Sequence, residues 1–297
     1  MPTLHAKTLA AIVTASCLLL PAATWAQSSG TVITTGHKGG SYFYIGRRLD
    51  TVMQTQHDIR IEVETSSGSI QNLARLADPS SKFGLALTQA DALSRFLQSN
   101  PDFANEFIVL GDMGKECVIL IAASKDDISS FSDLKSKAGG EISVDDPGSG
   151  ASATFDYLQS MDPEFAQIRP VYVDTIEALL QMKVAGEYTH LKAAMLVQRP
   201  STRSAPVTIL LENPDHYQLI PISELDVENS TLPDGSAVYS FERVNIGKTS
   251  GDHSLDINTI CTRGMLLASK SKLNRELRSK LSKSMLESAG TVSGEGK

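Results

Sequence analysis

A short apolar strand, a polar loop and a helix-start signal recur in that order along this chain, and the repetition dictates parallel strands with helices on their faces. Thr31-Val32-Ile33-Thr34-Thr35 has the β-branched content of a strand, Gly36-His37-Lys38-Gly39-Gly40 forms a tight loop, and a helix begins near Ser41. Ile59 to Glu64 alternates as a second strand, and Thr65-Ser66-Ser67-Gly68-Ser69 opens the helix through Leu73 and Leu76. Phe83 to Leu87 is a third strand, followed by Thr88-Gln89-Ala90-Asp91 and another helix. Parallel strands joined by helices require right-handed crossovers. The aliphatic run Cys117 to Ala123 reads as a strand crossing into a second half, followed by a short amphipathic stretch ending at Lys137. The second half repeats the unit, with Glu141-Ile142-Ser143-Val144, the loop Asp145 to Gly150 and a helix from about Ala151. Residues 171–173, 193–197 and 218–222 supply further strands, and 224–235 is polar and turn-rich. The run 258–268 returns the chain to the first half, residues 273–285 form a basic amphipathic helix, and the last nine residues are expected to fray.

The class expected is therefore α/β with two lobes and two hinge crossings: residues 27–122 with 258–297 form one lobe and 123–257 the other. Length agrees, because a chain of 297 residues exceeds one ordinary core. The segment 1–26 has Lys7, an apolar run, Pro21 and the small-residue end Ala22-Ala23-Thr24-Trp25-Ala26, the pattern of a cleavable export signal. Its apolar stretch is shorter than the roughly 20 residues a membrane span needs, so a soluble periplasmic protein is expected. Lipidation at Cys17 is disfavoured, because Thr14-Ala15-Ser16 lacks the expected aliphatic residue. A formal net charge of −7 argues against nucleic acid and anionic membrane as partners. Cys117 and Cys261 are free to pair in an oxidising compartment, but each opens its own apolar run, and two separately buried thiols are the favoured reading. No metal-spaced His/Cys cluster is present, so neither metal nor other cofactor is expected.

The loops 36–41, 65–69, 88–91 and 147–152 all lie between a strand and a helix start, where unpaired N–H groups and the helix dipole favour an anion. A single such loop is usually just a cap. Three in one lobe facing one in the other outline a cleft that holds a ligand with hydroxyls and amides.

Ile33-Thr34-Thr35-Gly36 followed by Gly39-Gly40-Ser41-Tyr42-Phe43-Tyr44-Ile45-Gly46 resembles the opening motif of the TAXI family, the extracytoplasmic solute receptors of TRAP transporters. Glu64 to Leu73, Thr88-Gln89-Ala90-Asp91 and Asp146-Pro147-Gly148-Ser149-Gly150 are similar to that family's later motifs, in the same order. The resemblance covers nearly all of the chain beyond the export segment. It implies a monomeric type II periplasmic binding protein with no catalytic residues, which traps a small anionic solute, a carboxylate or amino acid such as glutamate or 2-oxoglutarate. Membrane permease subunits would be its partner. Position by position it implies ligand contacts from Ser41, Tyr42, Ser67, Ser69, Gln89, Asp91, Ser149 and Gly150, with Tyr44 as a further wall; for one of the two tyrosines core packing is the expected role. Asp91 is either a structural cap or a partner for a ligand ammonium.

The chain departs from the family's pattern at His37-Lys38, read as solvated, and at Gln198-Arg199-Pro200 in the second lobe. Gln198 and Arg199 are candidate contacts, Arg199 through a bidentate pair with a carboxylate or else as a surface residue beside a turn. Residues 186–193 also differ from the usual segment. A sensory or scaffolding protein of the same fold, docking a membrane partner, is the rival reading. A periplasmic hydrolase is the remote one, since Ser149 lacks a nucleophile elbow and a placed base.

Overall fold

The computed structural model describes residues 30–136, 140–185, 190–223, 225, 227 and 229–294; the export segment 1–26 and residues 186–189 lie outside them. Three strand–helix units come first: β1 (Thr31–Thr34) and α1 (Ser41–His57), β2 (Ile61–Glu64) and α2 (Ser69–Ala77), β3 (Phe83–Gln89) and α3 (Ala90–Ser99). β1 pairs in parallel with β2 on one side and β3 on the other, as their helical crossovers require. β4 (Phe107–Ala123) then leads into α4 (Phe131–Ser136), β5 (Glu141–Ser143), α5 (Gly150–Met161), β6 (Arg169–Val171), α6 (Thr175–Ala185), β7 (Leu191–Gln198), α7 (Ala205–Glu212) and β8 (Tyr217–Ile220). The chain closes with β9 (Tyr239–Lys248), β10 (Ser254–Ser269) and α8 (Arg275–Ser293).

The strands run β2-β1-β3-β10-β4-β7-β5-β6, with β8 beside β4 and β9 beside β10. The two long strands carry the chain between lobes. Up to Cys117, β4 pairs with β10; from Cys117 onward its partners are β7 and β8. β10 begins against β9 and finishes between β3 and β4. Ile33, Ile45, Leu85, Leu266 and Leu281 make a core on one lobe; Ile119, Leu179, Met182 and Leu210 make one on the other. A third core joins Leu73 and Leu93 to Phe155 and Phe165 where the lobes meet. Each such side chain contributes about 1.5–3 kcal/mol by leaving water.

Three expectations change. Cys117 and Cys261 stand directly opposite in the β4–β10 register and form a disulfide, with Cα atoms 3.9 Å apart. A separation of 144 residues hid that adjacency from the sequence. The C-terminus is not frayed through residue 294: α8 continues to Ser293 past a kink at Ser288, and Val292 is buried. Arg48 donates from Nε to the Val292 carbonyl at 2.8 Å and from Nη2 to the Ser293 carbonyl at 3.1 Å, and Arg199 also donates to Ser293, so two guanidiniums satisfy the helix's last carbonyls. Finally, β4 starts ten residues before the apolar run that signals it, because Gly111, Asp112, Gly114 and Lys115 interrupt the pattern.

Candidate functional site

Between the lobes lies a cavity of about 410 Å³, within the range of small-molecule sites. One wall is built by the starts of α1 and α2, through Ser41, Tyr42, Ser67 and Ser69, and by Gln89 at the end of β3. Ser149 and Gly150 at the start of α5 face them, and Gln198 at the end of β7 completes the second-lobe side. Eight of the residues expected from sequence thus share one cavity.

Backbone geometry keeps donors available there. The residues preceding α1 and α2 are Gly40 and Gly68, and neither has a side chain to cap the first-turn N–H groups. α5 differs: Ser149 Oγ accepts from the Ser152 N–H at 3.1 Å and donates to the Val144 carbonyl at 2.9 Å, so this hydroxyl is engaged as a cap. The lobes touch beside the cavity. A Cβ on Gly68, whose φ is +140°, would lie 2.6 Å from the Gly148 carbonyl oxygen of the opposite loop.

Gln89 is 1% exposed. Its Oε1 accepts from Ser69 Oγ at 3.4 Å and its own N–H donates to Ser69 Oγ at 3.2 Å, while Nε2 has no hydrogen-bond partner. A buried donor left so costs about 1–3 kcal/mol, which an acceptor in the cavity would recover. Ser204 Oγ, on the second-lobe wall, is likewise buried without a partner.

Three charged residues that sequence reasoning missed line the same space: Asp145, just after β5, and Glu116 and Arg203. Glu116 sits on β4, and Tyr42 donates to its Oε2 at 3.0 Å. Burial pushes its carboxyl up to about 7, against the Tyr42 hydrogen bond and the positive charge of Arg199. Arg203, more exposed, lays its guanidinium over Gly247, where a Cβ would come within 2.5 Å of Nη1. No carboxylate lies within ion-pair reach of it among the described residues. A charged residue immediately before an apolar strand was the available signal for Glu116; Arg203, in the turn after Pro200, carried none. His37, read as solvated, also lines the cavity, 3.9 Å from Asp146 of the other lobe.

Three expected contacts lie outside the cavity. Tyr44 is 52% exposed on α1, two residues and therefore about 200° of helix from Tyr42. Asp91 is fully buried and receives Thr154 Oγ1 at 2.6 Å, Tyr239 OH at 2.8 Å and the Ala92 N–H at 2.7 Å. Those donors tie α3 to α5 and β9, and leave the carboxylate structural. Burial raises its pKa, while the two hydroxyls oppose the rise. Arg199 is drawn to backbone, donating to the Met113 and Ser293 carbonyls.

Among the described residues no group of three or more His, Cys, Asp and Glu is placed to hold a metal ion, and no helix is long and apolar enough to cross a membrane.

The fold recurs among solved structures. A periplasmic transporter is 12% identical with a TM-score of 0.50, covering 88% of this chain and 84% of its own. A TctC solute binding protein from Polaromonas is 12% identical with a TM-score of 0.48, covering 90% of this chain and 85% of its own. The periplasmic aliphatic sulphonate binding protein SsuA from Escherichia coli is 13% identical with a TM-score of 0.48, covering 90% and 72%. Such likeness is one of fold: the two-lobed α/β architecture of periplasmic binding proteins. No curated protein matches the sequence. A family profile does match, over residues 33–294, and by it the chain belongs to the NMT1-like family.

Proposed function

We propose that this protein is an exported receptor that encloses a small carboxylate or amino acid between its lobes and delivers it to the membrane subunits of a TRAP-type transporter, as the TAXI receptors it resembles do. The unpartnered Nε2 of Gln89 carries the reading: a buried donor on a residue that lines the cavity calls for an acceptor. Arg203 and the uncapped starts of α1 and α2 add positive potential to the same space. The Cys117–Cys261 pairing suits an oxidising compartment, in keeping with the export segment.

Mass spectrometry of gently purified, then denatured, protein should release a small acid. Refolded apo protein should then melt higher with that acid, by an amount equivalent to about 2.7 kcal/mol at a hundredfold excess over its dissociation constant. If no amino acid or carboxylate shifts the transition, the receptor reading yields to a docking protein of the same fold. Arg203→Ala should weaken binding on the order of tenfold with the melting temperature of the apo protein unchanged, because a partly exposed guanidinium contributes one charged hydrogen bond and no core packing. Calorimetric titration measures it.

A further inference from the structure

Glu116 lies at the floor of the cavity, 6% exposed; Tyr42 donates to its Oε2, and the Gln89 amide beside it also favours the charged form. Every element packed on it presents a definite group: Tyr42 on α1, Gln89 at the end of β3, Asp91 on α3, Thr262 opposite it on β10, and Gln198 and Arg199 at the end of β7. Asp91 repels a negative charge here. Arg199 attracts one, although its Nη1 and Nη2 donate to the Ser293 and Met113 carbonyls and only Nε is left unpartnered. Toward the cavity, Arg203 and the first-turn N–H groups of α1 and α2 donate, and Asp145 is a second carboxyl in its lining. An anion drawn in by these donors comes to rest beside a carboxyl that is almost wholly buried. The repulsion disappears if that carboxyl is neutral, and its O–H then supplies one more donor to the solute.

We propose that Glu116 meets the solute as a neutral acid, so that each solute anion is bound together with one proton, and that Glu116 thereby favours acidic solutes over those presenting an ammonium group to this wall. The proposal rests on the receptor reading above and assigns the proton to one side chain. Burial already holds the Glu116 carboxyl at about 7, and a bound anion raises it further. The sign follows from linkage: a group whose pKa is higher in the complex than in the free protein takes up a proton on binding. Affinity is then constant below the free value and falls above it, by as much as tenfold per pH unit. A bound ammonium would lower the pKa and reverse the slope.

Calorimetric titration of the mature protein with 2-oxoglutarate, succinate and glutamate, from about pH 6 to 9, tests this. For the acid that binds, affinity should drop roughly tenfold per unit above about pH 7, with a heat that depends on the buffer's ionisation enthalpy. Glu116→Gln, which keeps a neutral donor, should flatten the profile and bind more tightly than wild type at the alkaline end. Tyr42→Phe should move the break to higher pH, since the lost hydrogen bond stabilised the carboxylate; it keeps the test decisive if Glu116→Gln does not fold. Binding that is independent of pH in the wild type, or that strengthens as pH rises, overturns the proposal and leaves the receptor reading intact. Failure of all three solutes to bind at any pH overturns both.

Discussion

Replacing Cys117 and Cys261 by alanine together should lower the melting temperature by roughly 6–12 °C, the equivalent of about 3 kcal/mol in a chain of this size. The disulfide closes a loop of 144 residues, for which chain entropy alone sets a ceiling of about 5 kcal/mol, and measured effects generally fall below that ceiling. Its position adds a second consequence. Cys117 is where β4 leaves β10 as a partner for β7, so the bond fastens the two crossing strands together at the point where the lobes diverge. Without it, the inner halves of β4 and β10 should open more readily, and amide exchange should accelerate around residues 115–119 and 259–263 before it does in β1 or β3. Differential scanning calorimetry in the presence and absence of reductant, with exchange mass spectrometry on the double variant, measures both effects. A variant that melts within about 2 °C of wild type would show that the register of β4 and β10 holds without its covalent link.

The repeated unit was legible because each strand, loop and helix is encoded within a dozen neighbouring residues: β-branched runs, then Gly and Ser, then an amphipathic period. That locality located α1, α2, α5 and the strands preceding them, and with them the cavity-lining Ser41, Tyr42, Ser67, Ser69, Ser149 and Gly150. Features fixed by distant partners were not legible. Arg199 has the charge to bind a carboxylate, but the Ser293 carbonyl at the end of α8, 94 residues later in sequence, and the Met113 carbonyl on β4 hold it. Asp91 stands at a helix start like the others, yet the hydroxyls of Thr154 and Tyr239 reach it from 63 and 148 residues away. Glu116 reads as a surface residue beside Lys115 until the inter-lobe core buries it. β9 escaped notice because its exposed residues, among them Arg243, Asn245 and Lys248, mask the partial alternation of Tyr239, Val244 and Ile246.

Gly68→Ala is expected to weaken solute binding on the order of a hundredfold while leaving each lobe folded. Gly68 has φ +140° and ψ −157°, a region open in practice only to glycine, so any side chain is strained there by about 1–3 kcal/mol. That cost alone would be shared by open and closed forms if the loop kept its shape in both. The contact across the cleft is not shared. An added Cβ lies 2.6 Å from the Gly148 carbonyl oxygen and 3.0 Å from the Ser149 Cα, backbone atoms of the other lobe that have no flexible end to swing aside. Closure around the cavity therefore has to stop short, and the apparent affinity falls by the fraction of closed form lost. Gly235→Ala separates strain from obstruction. Its φ is +81°, also on the positive side that disfavours alanine, yet nothing lies within 4 Å of the added Cβ, so it should cost stability and leave affinity unchanged. Titration calorimetry on both variants, with small-angle scattering to follow closure, tests the argument, and a folded Gly68→Ala protein that binds and closes like wild type would place the closing contact elsewhere.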